Sequence, residues 1–310
     1  MSEPSPVVES AAELTRQAVA RLPIPAENTF LPGEGVRLHA VVAGAEDGPL
    51  AVLLHGFPEC WYSWRHQIPV LAQAGYRVVV PDLRGYNLSD KPSGVAAYQT
   101  DVLTADVLAL MRALGRERAA IVGHDWGGAV AWRMAIDFPE AVDRLVVMNA
   151  PHPVAMAKAL KSDWGQRLRS WYMLFFQVPG LPETLLGISP QASARLFFRR
   201  TAVRRDAFSD VDLAVMAAAM AQPGALRGMI HWYRASFRFK PAKRMRPIEV
   251  PTLLLWAEDD IALGKRLTLG LERWVPHLEI HYIPHCGHWV QNEAPEEVNG
   301  RMMAFLSSRG

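Results

Sequence analysis

The stretch IVGHDWGGAV, residues 121–130, has an aspartate at the centre of a strand–turn–helix pattern in which a serine is usual. Gly123 and Gly127 stand two positions before and after Asp125. A sharp turn that presents a nucleophile needs glycine at both places, because a Cβ there would collide with the neighbouring strand and helix. The alternative is an aspartate that only caps the helix, but a cap would not need these glycines or a third at 128. The stretch therefore favours Asp125 as a nucleophile.

Apolar runs like the one before this turn recur along the chain. Nearly continuous runs of Val, Leu and Ile are typical of strands covered on both faces, as in a parallel sheet flanked by helices. Stretches of helical length alternate with them, which predicts right-handed βαβ units. The predicted strands are 50–56, 76–85, 119–125, 144–151, 251–260 and 278–288, and the predicted helices are 63–74, 98–114, 127–137, 265–274 and 294–307.

Two segments depart from this alternation. Residues 152–246 are rich in Ala, Met, Arg and aromatic side chains, and they predict several helices without a strand. We therefore expect a helical cap inserted between the fourth and fifth of these strands, within an α/β core made of residues 27–151 and 247–310. Residues 1–26 predict a proline-bounded N-terminal arm, in which 9–21 fit a short amphipathic helix.

The composition excludes several classes of protein. The 310 residues carry 33 basic and 31 acidic side chains, and because the two kinds are interleaved we expect no nucleic-acid surface. The most basic stretch, Lys240 to Arg246, predicts a solvated connector. Two cysteines, Cys60 and Cys286, cannot form a disulfide framework and favour a reducing compartment. No apolar run approaches the roughly 20 residues that cross a bilayer. We expect a cytoplasmic protein without a membrane span or signal peptide.

Residues near the C-terminus complete a candidate nucleophilic site. His288 follows the last predicted strand, and Asp259 and Asp260 end the strand before it, so all lie at the sheet edge where open α/β sheets bind ligands. The chain order nucleophile, acid, histidine is that of α/β-hydrolases. With His281 and His285, His288 also suggests a metal site. We disfavour a metal site because side chains three residues apart on a strand point to opposite sides.

Two backbone N–H groups are candidates for an oxyanion hole. Phe57 lies in the loop HGFPECW (55–61) after the first strong strand, where such sites take one donor. Trp126, directly after the aspartate of the turn, would supply the other. His55 and His124 are interpreted as structural residues, the latter with one ring nitrogen bonded.

Four motifs, taken in order, resemble those of the epoxide hydrolases of the α/β-hydrolase superfamily. They are HGFPE (55–59), PDLRGYNLSDKP (81–92), GHDWGG (123–128) and CGHW (286–289). The resemblance covers the chain from about residue 27 to its C-terminal end. It implies an α/β-hydrolase fold, with a mostly parallel sheet flanked by helices and an inserted all-helical cap. It also implies a reaction that needs no metal and no organic cofactor.

The resemblance assigns roles to the residues of the site. Asp125 corresponds to the family's nucleophile and His288 to its base. Asp260 corresponds to the acid that supports the histidine, with Asp259 as the alternative. The segments SWYMLFFQVPG and HWYRASF are similar to the two that carry the family's cap tyrosines, which correspond here to Tyr172 and Tyr233. These tyrosines would hydrogen-bond the oxirane oxygen, and the expected substrate-binding residues are Phe57, Trp126, Tyr172 and Tyr233.

The implied reaction converts a small apolar epoxide and water into a vicinal diol. It passes through an ester on the aspartate, which a histidine-activated water hydrolyses. A haloalkane dehalogenase would use the same nucleophile, but such enzymes often have asparagine where this chain has Phe57, and the paired tyrosines favour oxygen as the leaving atom. A non-catalytic ligand-binding protein is disfavoured by the intact triad, and a serine esterase by the absence of serine from the turn. The chain is expected to act as a monomer or homodimer.

Overall fold

The apolar runs form one eight-stranded sheet in the computed structural model, which describes residues 10–308. The strand order is β1-β2-β4-β3-β5-β6-β7-β8. Strands β3 to β8 are parallel, whereas β1 and β2 form an antiparallel hairpin that pairs with β4 through β2. The strands are β1 Ala26–Pro32, β2 Arg37–Ala43, β3 Leu50–Leu54, β4 Arg77–Pro81, β5 Ala119–His124, β6 Val142–Met148, β7 Thr252–Ala257 and β8 Leu278–Ile283. The predicted α/β-hydrolase fold class is confirmed.

Helices cover the sheet and fill the chain between β6 and β7. Every residue of β3, β5 and β7 is buried, as strands covered on both faces require. The helices that alternate with the strands or follow them are α1 Ala11–Ala20, α2 Gln67–Gln73, α3 Thr100–Ala113, α4 Asp125–Asp137, α12 Val290–Glu293 and α13 Pro295–Ser307. Those between β6 and β7 are α5 Pro153–Ser162, α6 Trp164–Arg169, α7 Trp171–Phe175, α8 Leu181–Gly187, α9 Pro190–Ala194, α10 Asp210–Met220 and α11 Ala225–Arg238.

The segment of residues 152–246, called here the helical insertion, contains no strand among the described residues. Its helix α11 lies directly against the loop that follows β4. A Cβ on Gly228 would stand 2.6 Å from the Gly85 carbonyl oxygen, and the Trp232 indole N–H donates to the Arg84 carbonyl at 3.0 Å. This close backbone contact fixes the height of α11 above the sheet.

Several predicted elements differ from the structure. The predicted helix 265–274 is only a 3₁₀ turn, Lys265–Thr268, because Gly270 takes a left-handed backbone conformation with φ of +72°. The predicted strand 278–288 ends at Ile283, and His285 forms a left-handed turn with φ of +53°. The hairpin β1–β2 is not among the predicted strands. The predicted helix 9–21 corresponds to α1, and residues 1–9 lie outside the described residues.

Within residues 10–308, no single helix is long and apolar enough to cross a bilayer. Helices α10 and α11 reach the required length and apolar composition only when they are taken together, and they are bent by 76° at the break between them.

Candidate active site

The turn after β5 places Asp125 at the start of α4 in a left-handed conformation with φ of +48°. A Cβ on Gly123 would stand 2.5 Å from the Gly127 carbonyl oxygen, and one on Gly127 would stand 2.1 Å from the Leu54 carbonyl oxygen. Both contacts are with backbone, which cannot move aside, so the predicted need for glycine at these positions is confirmed. The N-cap of α4 is His124, not Asp125. The strained turn therefore holds the carboxylate above the sheet edge.

Hydrogen bonds and a nearby imidazole fix the Asp125 carboxylate. The Phe57 N–H donates to its Oδ1 at 2.9 Å, while Oδ2 lies 3.8 Å from the Nε2 atom of His288. Burial raises the pKa of Asp125, and the positive charge of His288 and the N–H groups of Phe57 and Trp126 act against that rise. One carboxylate oxygen is thus occupied by a donor, and the other faces the histidine.

His288 is bonded on its other side to Asp260. The distance from Nδ1 to Asp260 Oδ2 is 2.7 Å. Burial disfavours the imidazolium, but the negative charges of Asp260, Asp125 and Glu59 outweigh it and raise the pKa of His288 to about 9. The two carboxylates on either side of the ring therefore favour the imidazolium form of His288.

Asp260, and not Asp259, is the acid that contacts the histidine. Its Oδ1 accepts hydrogen bonds from the N–H groups of Ala262 at 2.7 Å and Leu263 at 2.9 Å, and its Oδ2 accepts one from Asn149 Nδ2 at 2.7 Å. Burial alone would raise the pKa of Asp260, but His288 and these donors hold it below its ordinary value. Asp259 is exposed. The structure thus resolves the alternative between the two aspartates by position.

Tyr172 on α7 and Tyr233 on α11 lie above the carboxylate. Their ring centroids are 5.9 Å apart, and the Tyr233 ring packs edge-on against Phe57 at 5.2 Å and against Trp126 at 4.9 Å. Burial raises the pKa of both tyrosines, and the nearby charge of Asp125 raises it further. Both phenols therefore remain protonated hydrogen-bond donors around neutral pH.

Asp125, Trp126, Tyr172 and Tyr233 line one cavity of about 580 Å³. Its polar members include Asp125 and the two tyrosines, while most of the remaining lining is apolar. Small-molecule sites in proteins are built in this way, with an apolar wall and a few convergent polar groups. Among the apolar and aromatic lining residues are Trp126, Pro151, Met156, Leu160, Met173, Phe237, Phe239 and Leu263.

A buried carboxylate beneath the site was not found from the sequence. Glu59 Oε2 accepts the Gly56 N–H at 2.7 Å and lies 2.7 Å from His124 Nδ1, whose Nε2 lies 2.9 Å from the His288 carbonyl oxygen. Burial would raise the pKa of Glu59, but His124 and the other donors lower it to about 2. The prediction that His124 has one bonded nitrogen is wrong, since both are bonded. The signal in the sequence is a charged residue among aromatic side chains, which needs buried partners.

The histidines considered as metal ligands have different partners. His281 Nε2 lies 2.8 Å from Glu297 Oε1, His285 lies on the turn after β8, and His288 is bonded to Asp260. His285 and His288 do not alternate along a strand as predicted, because both follow the end of β8. Among residues 10–308, no group of three or more His, Cys, Asp or Glu side chains is arranged to hold a metal ion.

Comparisons with known proteins agree with this architecture. The sequence profile of the alpha/beta hydrolase fold family matches residues 49–295. The AB hydrolase superfamily protein YfhM of Bacillus subtilis is 39% identical over 280 residues, covering 90% of this chain and 98% of that protein. Epoxide hydrolase 1 of Caenorhabditis elegans is 37% identical over 285 residues, covering 91% of this chain and 70% of that protein.

Solved structures give the same result. A Bacillus megaterium epoxide hydrolase, determined in complex with an inhibitor, superposes with a TM-score of 0.84 at 30% identity, covering 90% of this chain and 100% of that one. The sheet, the turn at Asp125 and these relatives place the chain in the α/β-hydrolase family. Within that family it belongs to the epoxide hydrolases.

Proposed function

We propose that this epoxide hydrolase opens small apolar epoxides through a covalent ester on Asp125, which His288 then helps water to cleave. One observation supports the proposal most strongly. A single cavity holds a carboxylate backed by a histidine–aspartate pair and, facing it, two protonated tyrosines. This arrangement supplies a nucleophile on one side of the substrate and two donors for a leaving oxygen on the other.

The first step forms the ester. Asp125 Oδ2 attacks an epoxide carbon because Oδ1 is already held by the Phe57 N–H. The new carbon–oxygen bond forms as the ring carbon–oxygen bond breaks, and the electron pair of that bond moves to the ring oxygen. Tyr172 and Tyr233 donate hydrogen bonds to this oxygen, and one of them transfers the proton that makes it a hydroxyl.

The second step cleaves the ester. Water attacks the Asp125 carbonyl carbon while His288 accepts its proton, and the oxyanion forms at Oδ1, where the N–H groups of Phe57 and Trp126 stabilise it. The intermediate then expels the diol oxygen, which takes a proton from His288. Asp125 is left as a carboxylic acid that contains one oxygen atom from water, and it passes its proton to the now neutral His288, which restores the carboxylate and the imidazolium.

The pKa of His288 explains how one residue serves both states. The Asp125 carboxylate is one of the charges that raise the pKa of His288 to about 9. When Asp125 becomes a neutral ester, this attraction is lost, so the pKa of His288 falls. The histidine can then release its proton, which restores the hydroxyl of the tyrosine that protonated the ring oxygen, and the neutral imidazole can act as the base that the second step requires.

Dehalogenation by the same aspartate is the second candidate function, and it rests on the position of the Trp126 indole in the cavity. Epoxide opening and dehalogenation differ in the atom that leaves the carbon under attack. Two phenol donors suit an oxygen that must gain a proton, whereas a halide leaves without one. We expect diol from styrene oxide and no halide release from a bromoalkane of similar size. Halide release at a rate comparable to diol formation would overturn the choice of reaction.

A trapping experiment tests the mechanism. In His288→Gln, the first step should proceed and the second should stop, so a peptide containing Asp125 should gain the mass of styrene oxide. His281→Gln provides the matched control, because His281 lies on β8 and bonds to Glu297; this variant should turn over without accumulating an adduct. An inactive His288→Gln enzyme with no adduct would contradict the two-step scheme.

A further inference from the structure

The outer face of the helical insertion carries an apolar stripe. We define it as the side chains that recur every three or four residues through α6, α7, α8 and the turns beside them: Trp164, Leu168, Trp171, Leu174, Val178, Leu181, Leu185 and Ile188. All eight are exposed, with between 42% and 74% of each residue's surface accessible. They are eight of the fifteen exposed large apolar residues in the described part of the chain.

This stripe is not the inward face of the helices. In α7, Tyr172 and Met173 line the cavity and the adjoining Phe176 is buried, whereas Trp171 and Leu174 point outward with 64% exposure each. A surface helix of a globular protein normally presents polar side chains to water. A group of exposed apolar side chains on successive helices is the kind of surface that marks a contact with a partner or a membrane.

The charge around the stripe indicates which of these partners it fits. Residues 153–205 contain nine basic and two acidic side chains, although the whole chain has a net charge of only +2. Lys161, Arg195 and Arg200 are exposed, and Arg167 lies 5.2 Å from the centre of the Trp164 ring. The two acids, Asp163 and Glu183, lie beside Arg266 and Arg234.

We propose that the apolar stripe docks this protein on an anionic lipid surface. Tryptophan and leucine side chains would enter the boundary between headgroups and acyl chains, and the surrounding cations would contact anionic headgroups. A second copy of the chain fits less well. A symmetric contact through the stripe would bring the same cluster of cations against itself.

Docking on this face has a consequence for the cavity. Because α7 carries the stripe on one side and Tyr172 and Met173 on the other, the docked protein holds its cavity within one helix diameter, roughly 10 Å, of the lipid. Apolar molecules concentrate in bilayers, so this position favours their capture. The docking itself does not depend on the proposed reaction, and its test needs no substrate.

Tryptophan fluorescence provides the test. Of the ten tryptophans, Trp164 and Trp171 have 72% and 64% of their surface exposed, and the other eight are buried or half-buried. Vesicles of phosphatidylglycerol and phosphatidylcholine with brominated acyl chains should quench these two residues on binding. The quenching should disappear in Trp164→Phe with Trp171→Phe, although sedimentation should show that this variant still binds. Vesicles of phosphatidylcholine alone should bind at least about tenfold more weakly.

Matched variants separate the apolar and the charged contributions. Leu168→Ser with Leu185→Ser should weaken binding on the order of tenfold, while the exposed pair Phe30→Ser with Leu269→Ser should not. Lys161→Gln with Arg195→Gln should weaken binding to a similar degree, while Arg112→Gln with Arg301→Gln, also exposed, should not. Thermal unfolding of each variant shows whether it is folded.

Three results would overturn the proposal. They are the absence of binding to anionic vesicles, binding that does not depend on the stripe, and equal binding to both lipid mixtures. Light scattering adds a fourth. If the chain is a dimer that Leu168→Ser with Leu185→Ser dissociates, and it does not bind vesicles, the occupant of the stripe is a second copy and the lipid proposal is wrong.

Discussion

In the proposed reaction, the phenol groups of Tyr172 and Tyr233 donate hydrogen bonds to the leaving oxygen of the epoxide. They are the two phenols in the lining, and burial together with Asp125 keeps both protonated. Donors that face the position where charge develops stabilise a transition state more than a ground state. The leaving oxygen of an epoxide develops this charge as the ring opens.

Removing these hydroxyls should slow the first step. We expect Tyr172→Phe and Tyr233→Phe each to reduce the rate of ester formation on the order of a hundredfold, and the double variant to stop it nearly completely. Single-turnover quenched flow measures this rate. Tyr76→Phe is the control, because its hydroxyl donates to the Leu306 carbonyl at the far end of the chain. Unchanged ester formation in the double variant would assign both tyrosines to packing.

The raised pKa of His288 implies that the stability of the protein depends on pH. A group whose pKa is higher in the folded state contributes stability that is fully present below its unfolded pKa and lost as pH rises through its folded pKa. For His288 this interval runs from about 6.5 in the unfolded chain to about 9 in the folded protein. The free energy of unfolding should therefore fall as the pH rises through this interval.

Denaturant unfolding between about pH 6.5 and 8 measures whether the free energy of unfolding falls as the pH rises. The wild-type free energy should decrease with pH, and His288→Gln should show a smaller slope. The other histidines with a shifted pKa are shifted downward, so they act below this interval; they are His55, His66, His152 and His231. Asp260 has a lowered pKa, and its contribution is lost only in acid. Equal slopes in the two proteins would contradict the assigned charge state.

At the scale of elements, the contact between α11 and the loop after β4 positions Tyr233. Gly228 meets the Gly85 backbone, which cannot give way to a methyl group, and Trp232 bonds to the same loop. Because Tyr233 follows Trp232 in α11, a displacement of α11 also changes the position of Tyr233 relative to Asp125.

Gly228→Ala should therefore lower both stability and activity. Overpacking of this kind costs about 1 to 3 kcal/mol. Gly300→Ala is the matched control in the middle of α13, where a Cβ meets nothing within 4 Å; it should be neutral or stabilise by up to about 1 kcal/mol because alanine favours helix. Thermal unfolding and diol formation are measured for both. Equal unfolding temperatures in the two variants would show that α11 is free to shift.

The strands and helices show which elements can be predicted from the sequence and which cannot. Strands β3 to β7 each contain at least three consecutive apolar residues, a signal that needs no partner to be recognised, whereas in β8 apolar residues are interrupted by Glu279 and His281. The hairpin β1–β2 was missed because β1 alternates between exposed and half-buried residues at a sheet edge. The prediction of a helix at 265–274 was wrong because Gly270 takes a left-handed backbone conformation, which the spacing of apolar residues does not reveal.

At the scale of the whole molecule, Glu293 joins the helical insertion to the loop of His288. Its Oε2 accepts hydrogen bonds from the N–H groups of Val203 at 2.8 Å, Arg204 at 2.9 Å and Gly287 at 3.0 Å, and its Oε1 accepts one from Trp289 at 3.2 Å. Glutamine cannot accept all four of these hydrogen bonds, because its amide nitrogen is a donor and only its oxygen can accept.

Glu293→Gln should destabilise the protein by about 1 to 3 kcal/mol. It should also slow ester cleavage more than ester formation, because in the proposed mechanism His288 acts as the base of the second step. Pre-steady-state kinetics separates the two rates. Glu296→Gln, an exposed acid on α13, is the control and should resemble the wild type. If both variants behave alike, Glu293 does not position the His288 loop.

Those residues of the candidate site that belong to short sequence motifs could be predicted from the sequence. Asp125 and His288 stand in local patterns of glycine and histidine, and Tyr172 and Tyr233 were located through the family resemblance. Glu59, Asn149 and Glu293 were not predicted. Each depends on partners far along the chain, and only the folded sheet brings them together. Glu59 and His124 are 65 positions apart, and Asn149 and Asp260 are 111 positions apart.

The source of the oxygen atom in the diol tests the central claim most directly. A single turnover is run in ¹⁸O-labelled water with enzyme in excess over styrene oxide, and the diol and the peptide containing Asp125 are analysed by mass spectrometry. If the reaction passes through an ester on Asp125, the first diol contains no label and the Asp125 peptide gains one ¹⁸O atom. Label in the first diol, with none in that peptide, would mean that water attacks the epoxide directly and that the ester does not form.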